Sequence, residues 1–220
     1  MLHYLYADQL HLFPTLRDTM FRDRAKQFHD RLGWDAVTVD ENGFERDEYD
    51  DLNPLYVIYE REDGTHGGSM RLLPTTGRTM LAEHFSDLTD VAALTSPFVW
   101  EITRLCLAPG AEAKVVAALV LALDEMMEGY GLSHMVAVFE ASRLRIFRRL
   151  GAEPEVLGHS GEGRQMVAVG LWERESYGRE ARERVEERAG IASTALDEFG
   201  EQIMAAAHIR VPEAKVALAA

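Results

Sequence analysis

Apolar and polar positions follow two different periods along the 220-residue chain. Apolar runs of strand length predict β-strands over residues 2–6, 55–59, 67–73, 98–107, 135–139 and 165–172. Apolar residues at helical spacing predict helices over residues 8–30, 112–129 and 141–150. The order is strand, helix, antiparallel strands, helix, strand, helix and strands. It predicts an α/β fold in which a mixed sheet is flanked by helices.

The pattern changes after residue 173, where dense mixed charge replaces the apolar runs. We therefore divide the chain into a domain over 1–173 and a charged helical C-terminal extension over 174–220. The charge pattern predicts an exposed helix there rather than a core element. One helical stripe in the extension, formed by Leu196, Phe199 and Ile203, would be the contact of a homodimer.

Composition and charge exclude several classes of protein. A net charge of -14 disfavours nucleic-acid binding, because phosphates are repelled at long range. No apolar run approaches the roughly 20 residues that span a bilayer, and no basic signal-peptide region opens the chain, so we expect a cytoplasmic protein without a membrane span. The eight histidines have no metal-ligand spacing, and we expect no metal and no bound cofactor. The single cysteine, Cys106, lies in an apolar run, which predicts a buried structural thiol.

Two charged residues interrupt the apolar run over 98–107. Glu101 and Arg104 lie where a central strand normally excludes charge, because an unpaired ion out of water is strongly destabilising. Either the two are neutralised in ion pairs, or they line a cleft in which chemistry needs them. Residues three apart in a regular strand point to opposite faces, so both reach one cleft only if a β-bulge intervenes.

A wider set of arginines, acids and aromatics accompanies this pair in a defined order. Each member alone has an ordinary structural explanation. The set comprises Arg24, Phe28, Trp34, Asp47, Asp50, Arg71, Glu101 and Arg104. Its spacing resembles the pattern of the acyl-homoserine-lactone synthases, the enzymes that make quorum-sensing signals, and the resemblance spans about residues 1–173.

The resemblance implies a fold similar to that of the GNAT-type N-acyltransferases, with a mostly antiparallel sheet and two neighbouring strands that splay into a central cleft. It implies two substrates, S-adenosylmethionine and an acyl thioester on an acyl carrier protein. The substrate amine attacks the thioester carbonyl, and the methionyl carboxylate then displaces the sulfonium group. The products are an acyl-homoserine lactone and methylthioadenosine, and S-adenosylmethionine is a substrate rather than a cofactor.

The residue types suit this chemistry. Glu101 is the candidate general base for the amine, directly or through a water, and its apolar strand would raise its pKa, with Arg104 opposing that shift. Arg24 and Arg104 are candidate catalytic residues that hold the substrate carboxylate. Trp34 and Phe28 offer ring faces to the sulfonium or the adenine.

The acidic, turn-rich segment over 40–53 predicts an exposed loop. Its Asp47 and Asp50 have two candidate roles. They either bind the positive charge of the substrate or pair with Arg24 and Arg71 and so order the loop.

The acyl chain is expected to lie near Thr103, Ala137 and Phe147, and the tunnel depth is expected to depend on packing around Met126, Met127, Leu144 and Phe147. In the resembling family, a threonine at the position of Ala137 accompanies 3-oxo chains. Its absence here predicts a preference for chains without a 3-oxo group, unless the Thr103 hydroxyl supplies the missing donor.

The densest basic cluster lies on the predicted helix over 142–149 and comprises Arg143, Arg145, Arg148 and Arg149. Acyl carrier proteins are acidic, so this helix is the candidate docking site, and a merely solvated helix face is the alternative.

Two other functions compete with this interpretation. A GNAT-type N-acyltransferase using acyl-coenzyme A and another amine would need a glycine-rich loop for the pyrophosphate, but the stretch over 108–114 has one glycine and an acid. A non-catalytic interaction module would leave Glu101 unexplained.

Overall fold

The computed structural model describes residues 1–34, 37–163, 166–174, 183, 185–187, 189 and 190. Within these residues one sheet contains the strands β1 (Leu2–Tyr6), β2 (Leu55–Glu60), β3 (His66–Pro74), β4 (Val99–Leu107), β5 (His134–Glu140), β6 (Glu155–Ser160) and β7 (Val167–Glu173). The named α-helices are α1 (Pro14–Arg24), α2 (Met80–His84), α3 (Val91–Leu94), α4 (Ala113–Gly129) and α5 (Leu144–Leu150).

The strands lie in the order β1-β2-β3-β4-β5-β7-β6. Neighbours are antiparallel except β4 and β5, which run parallel and are joined through α4. A parallel pair needs such a crossover, because the connection has to bring the chain back to the end of the sheet at which the first strand began. The predicted mixed, mostly antiparallel sheet flanked by helices is confirmed.

The parallel pair separates part of the way along its length. β4 pairs with β5 from Val99 with His134 to Ile102 with Ala137, although β4 continues to Leu107 and β5 to Glu140. Beyond Ile102 the two strands leave a gap in the middle of the sheet. This gap is the splayed cleft of the GNAT-like fold that the family resemblance implied.

The main core lies between the sheet and α4. The helix is rich in alanine, leucine and methionine, which favour helix, and it buries apolar side chains along much of its length. Ala117, Leu119 and Met126 pack with Val57 of β2 and Leu72 of β3. Their burial fixes one face of β4, so polar residues of that strand are confined to the opposite face.

The segment predicted as one helix over 8–30 is divided into three. A 3₁₀ helix over Ala7–Leu12 precedes α1, and a π-helical segment over Ala25–Arg31 follows it. Pro14 explains the first division, since it lacks an amide hydrogen and fits the first position of a helix. The π-helical segment contains Phe28, which is buried. Helices α2 and α3 and strand β6 were not among the predicted elements.

The acidic segment over 40–53 is exposed only in part. Asp40, Glu41, Asn42 and Glu48 are exposed, as predicted, but the segment also has a buried part that was not predicted. Glu45, Tyr49 and Asp50 are buried, and a short 3₁₀ helix covers Asp50–Leu52. The physical reason is that the arginines of the domain lie beneath the loop and neutralise its acids.

The prediction that the extension after residue 173 lies outside the core is wrong for its described part. Val185 and Ala189 are buried in the main core, and their spacing of four places them on one helical face. Leu196, Phe199 and Ile203, the predicted dimer stripe, lie outside the described residues. Within the described residues no helix is both long enough and apolar enough to cross a membrane. Cys106 is fully buried, as predicted, and burial raises the pKa of its thiol to about 12.

Candidate active site

Two cavities lie at the gap between β4 and β5. The larger has a volume of about 470 Å³ and the smaller about 110 Å³. Both are lined by Thr103, Arg104 and Leu105 of β4 and by Val138 and Phe139 of β5. The gap therefore joins a roomier, more polar space to a narrow apolar one.

A β-bulge directs Arg104 to the polar side of β4. Ser69 pairs with Cys106 and Arg71 with Thr103, so β4 carries one residue more than β3 between these pairs. Arg104 has a φ of 51°, an uncommon conformation for a residue other than glycine. The extra residue breaks the alternation of the strand, and the bulge that Glu101 and Arg104 were predicted to need is present.

Three arginines and three acids form a buried ion cluster beside the larger cavity. Arg24 contributes its Nε to Glu45 at 2.5 Å and binds both oxygens of Asp50 at 3.0 and 2.9 Å. Its side chain is 1% exposed. The Tyr56 hydroxyl also donates to Asp50. Arg24 thus joins α1 to the acidic loop, and its guanidinium faces protein acids.

Arg71 and Arg104 complete this ion cluster. Arg71 donates to Asp47, to Asp50 at 2.8 Å and to the Thr103 hydroxyl at 2.9 Å. Arg104 lies 3.1 Å from a Glu45 oxygen and 2.7 Å from an Asp47 oxygen. The predicted pairing of the loop aspartates with arginines is therefore present.

The cluster lowers the pKa of two of its acids, Asp47 and Asp50. Burial alone would raise the pKa of Asp50, but Arg24 and Arg71 hold it well below its usual range. The pKa of Asp47 is lowered in the same way, with burial opposed by Arg71 and Arg104. Buried ions are stable only when paired and hydrogen-bonded, and these pairs meet that condition.

Glu45 is the member of the cluster that the sequence did not identify. It is fully buried and bridges Arg24 and Arg104. In the sequence it is one acid among many in a turn-rich loop. Its distance of two residues from Asp47 was the available signal, but it does not distinguish Glu45 from its neighbours.

Glu101 lies on the same face of β4 as Thr103 and is fully buried. Its carboxylate accepts the amide hydrogens of Met80 at 3.0 Å and Leu81 at 2.6 Å, at the start of α2. Burial raises the pKa of Glu101 to about 7, against the lowering effect of these two amides and of Arg71. The predicted upward shift is confirmed, and the guanidinium that opposes it is Arg71 where Arg104 was expected. A carboxylate with this pKa can accept a proton near neutral pH.

Phe28 and Trp34 stack beside the larger cavity. Their ring centroids lie 5.0 Å apart at an interplanar angle of 21°. Phe28 is 3% exposed and has the Arg104 guanidinium 5.4 Å from its ring centroid, whereas Trp34 is 40% exposed. Phe28 therefore supports Trp34 and Arg104, and Trp34 presents the accessible ring.

The smaller cavity is lined by the residues that were predicted to contact the acyl chain. Thr103, Ala137 and Phe147 line it, together with Met127. Of the other residues predicted to set the depth, Met126 is buried in the main core and Leu144 is partly buried at the start of α5. The sequence did not identify the further aromatic lining residues, Phe139 and Trp172, whose rings lie 5.2 and 5.3 Å from Phe147.

The basic cluster lies on and before α5, at the mouth of the larger cavity. Arg145, Arg148 and Arg149 are exposed. Arg148 pairs with Glu153 at 2.5 Å, and Arg143 with Glu140 at 3.4 Å. Arg143 and Ile146 line the larger cavity, and Ile146 is 39% exposed. The helix thus presents cations and an apolar side chain together beside the opening.

Comparison with known proteins gives concordant matches. A family model described as autoinducer synthase matches residues 9–179. An acyl-homoserine-lactone synthase of Rhizobium etli is 38% identical over 180 residues, which are 79% of this chain and 84% of that protein.

Solved structures of the same kind superpose on the fold. The structure of the acyl-homoserine-lactone synthase LasI covers 79% of this chain and 89% of its own, with a TM-score of 0.68 and 26% identity. The CoA-dependent synthase BjaI, solved with S-adenosylmethionine and isopentyl-CoA, covers 88% of this chain and 90% of its own, with a TM-score of 0.74. Its identity of 24% shows a shared fold alone.

Proposed function

The chain belongs to the autoinducer synthase family, and on this premise we propose that it makes an N-acyl-homoserine lactone from S-adenosylmethionine and an acyl thioester of an acyl carrier protein. The observation that carries the proposal is the pair of cavities on the two sides of Thr103. The larger cavity suits S-adenosylmethionine, which is polar and can stack on an aromatic ring. The smaller cavity suits an apolar acyl chain. The thioester carbonyl then lies at the gap in the sheet, where the two cavities meet.

The reaction has two bond exchanges. The α-amine of S-adenosylmethionine loses a proton and attacks the thioester carbon, and the carrier thiol leaves as the amide forms. The methionyl carboxylate oxygen then attacks the γ-carbon, the bond from that carbon to the sulfonium breaks, and methylthioadenosine leaves as a neutral thioether. The protein has to hold both substrates in line and accept one proton.

Glu101 accepts that proton. Its carboxylate is buried and lines neither cavity, so the proposal requires a water between it and the amine, on a path past Thr103 and Met80, which line the larger cavity. Its two amide donors leave acceptor positions on both oxygens, because an ionised carboxylate has about four. The pKa of about 7 matches the working range of a general base.

Arg104 binds the substrate carboxylate, and Arg24 has an organising role. Arg104 lines both cavities, and its side chain is 9% exposed. Arg24 is committed to Glu45 and Asp50, so it holds the acidic loop against α1. Trp34 offers its accessible ring to the adenosyl group.

The proposal is tested with the purified protein, S-adenosylmethionine and an acyl carrier protein thioester. Mass spectrometry of the products should show an acyl-homoserine lactone and methylthioadenosine in equal amounts. Acylation of another amine without methylthioadenosine release would contradict the proposal.

The acyl chain is expected to lack a 3-oxo group. Ala137 lines the smaller cavity, and its neighbours Val136 and Val138 offer no hydroxyl. A 3-oxo group that enters without a donor loses its hydration, at about 1–3 kcal/mol, which corresponds to roughly 5- to 150-fold in selectivity. Competition between matched acyl and 3-oxoacyl carriers, with products measured by mass spectrometry, checks this. A preference for the 3-oxo product would contradict it and assign the donor to Thr103, whose hydroxyl also accepts from Arg71.

Carrier-protein docking on α5 predicts a selective kinetic effect. Replacing Arg145 and Arg149 with glutamate should raise KM for the acyl carrier several-fold and leave KM for S-adenosylmethionine unchanged, because opposite charges steer the encounter. The effect should weaken at high salt. Exchange of Arg17 and Arg22 for glutamate is the matched control, because these arginines of α1 line neither cavity. Equal effects on both substrates would contradict the docking site.

A comparison of two acyl donors tests whether the acyl chain comes from a carrier protein or from coenzyme A. Glu112 occupies the N-cap of α4, and its side chain is 70% exposed. A negative charge there opposes the binding of a pyrophosphate at the helix start. We therefore expect a higher kcat/KM with the acyl carrier protein than with the matched acyl-coenzyme A. The reverse order would assign the donor as coenzyme A.

A further inference from the structure

A polar chain of three side chains lies behind the larger cavity and has no part in the chemistry described above. It runs from Asp23 on α1 to His66 and Ser69 on β3. His66 is fully buried, with Nδ1 3.0 Å from Asp23 Oδ2 and Nε2 2.9 Å from Ser69 Oγ. Its backbone amide donates to the Thr19 hydroxyl at 3.0 Å. The imidazole is therefore held at both ring nitrogens and the backbone of His66 by a third bond, and the ring in turn positions the Asp23 carboxylate.

The two oxygens of Asp23 have different surroundings. Oδ2 faces the buried imidazole, whereas Oδ1 lies 3.0 Å from Nζ of Lys26. Asp23 and Lys26 both line the larger cavity, and the Lys26 side chain is 57% exposed. Only the lysine of this pair is exposed, so its ammonium can move away from the carboxylate at little cost. One oxygen is thus held in place while the other can exchange its cation.

The chain leaves a negative charge on Asp23. Burial lowers the pKa of His66, with Asp23 opposing, so the imidazole is neutral at pH 7. A neutral imidazole that donates from Nδ1 accepts the Ser69 hydroxyl at Nε2. Burial raises the pKa of Asp23, but the bonds from His66 and Lys26 lower it further, so the carboxylate is ionised.

We propose that Asp23 is the counter-ion of the substrate sulfonium in the larger cavity, with His66 and Ser69 as positioning residues for its carboxylate. This inference rests on the proposed function, in which S-adenosylmethionine occupies that cavity. The other acid that lines it, Glu140, is paired with Arg143 at 3.4 Å. Trp34, whose ring is assigned above to the adenosyl group, lines the same cavity.

The counter-ion has a defined kinetic consequence. The sulfonium loses its charge when methylthioadenosine leaves, so Asp23 holds the substrate more strongly than the product. An interaction that is lost along the reaction lowers KM without raising kcat. Replacing Asp23 should therefore raise KM for S-adenosylmethionine and leave kcat unchanged or higher.

Binding of a charged and an uncharged ligand tests the inference. S-adenosylhomocysteine has a neutral thioether where S-adenosylmethionine has the sulfonium. Calorimetry should show that Asp23→Asn weakens S-adenosylmethionine about tenfold and changes S-adenosylhomocysteine by less than about twofold. Equal loss for both ligands would overturn the proposal, because it would show general damage to the site.

Lys26→Met is the matched variant, and it does not depend on how well Asp23→Asn folds. Because Lys26 competes for the same oxygen, its removal should leave the affinity for S-adenosylmethionine unchanged or increased. A tenfold loss in Lys26→Met would overturn the proposal and assign Asp23 to its pair with the lysine.

His66→Gln tests the positioning role, since its amide can still donate to Asp23. We expect a rise in KM for S-adenosylmethionine smaller than that of Asp23→Asn, at unchanged kcat. A fall in kcat at unchanged KM would overturn the positioning role. Release of methylthioadenosine by the unaltered protein is measured in parallel, so failure of the proposed function is distinguished from failure of this inference.

Discussion

Replacing Glu101 with glutamine is expected to lower kcat by about 10²- to 10⁴-fold, the loss typical of a removed general base. Glutamine keeps the shape of the side chain, but its single oxygen replaces only one of the two that accept from the amides of Met80 and Leu81. It cannot accept the proton of the substrate amine. The loss should therefore appear in kcat and kcat/KM together, with little change in KM for either substrate.

The activity is also expected to depend on pH through the ionisation of Glu101. A base works in its ionised form, and burial raises the pKa of Glu101 to about 7. Activity of the unaltered protein should therefore rise with pH through about 7, and the Glu101→Gln variant should lack this inflection.

A thermal melt of the same variant is the control for folding, because Glu101 also receives two amides of α2. Nearly full turnover of a folded Glu101→Gln variant at neutral pH would remove Glu101 from the role of base.

Replacing Arg24 with methionine should reduce the free energy of unfolding by about 3–5 kcal/mol, the effect of removing one partner from a buried ion pair. The substitution leaves Glu45 and Asp50 buried with less compensating charge. Denaturant unfolding followed by fluorescence measures the change.

The matched control is Arg22→Met, two positions earlier on α1, where the side chain is exposed beside Phe44. It should cost less than about 1 kcal/mol. Combining Arg24→Met with Glu45→Gln removes one charge of each sign and should restore part of the stability. A stable Arg24→Met variant that had lost turnover would contradict the organising role and assign Arg24 to substrate binding.

The sequence predicted the sheet because its strands and helices follow short-range patterns, whereas the gap between β4 and β5 was implied by the resemblance to the synthases. Apolar runs and helical spacing identified the strands around the cleft, and the spacing of charged residues identified most of the ion cluster. Spacing also indicated that Glu101 and Arg104 require a bulge to act together. The strands, the helices and the need for a bulge are each encoded within a few residues of the chain, whereas the members of the ion cluster are far apart in it.

Properties that depend on distant partners were harder to predict. Glu45 is buried because Arg24 and Arg104 reach it from two other elements, and the local sequence shows only a charged loop. Val185 lies in a charged segment, but it packs in the main core of a domain that appeared to end before it. In both cases the local composition predicts exposure, and contacts across the chain reverse that prediction.

The ion cluster also affects how such a protein can change over generations. Its six charges come from α1, the acidic loop, β3 and β4, and each acid contacts more than one arginine. A lineage that replaced one of them would pass through a protein with an unbalanced buried charge, so these positions can drift only as a group. The cluster therefore constrains the residues that hold the acidic loop and does not constrain the apolar residues that line the smaller cavity. Inheritance of its residues is therefore compatible with substantial divergence in the acyl chain that each descendant transfers.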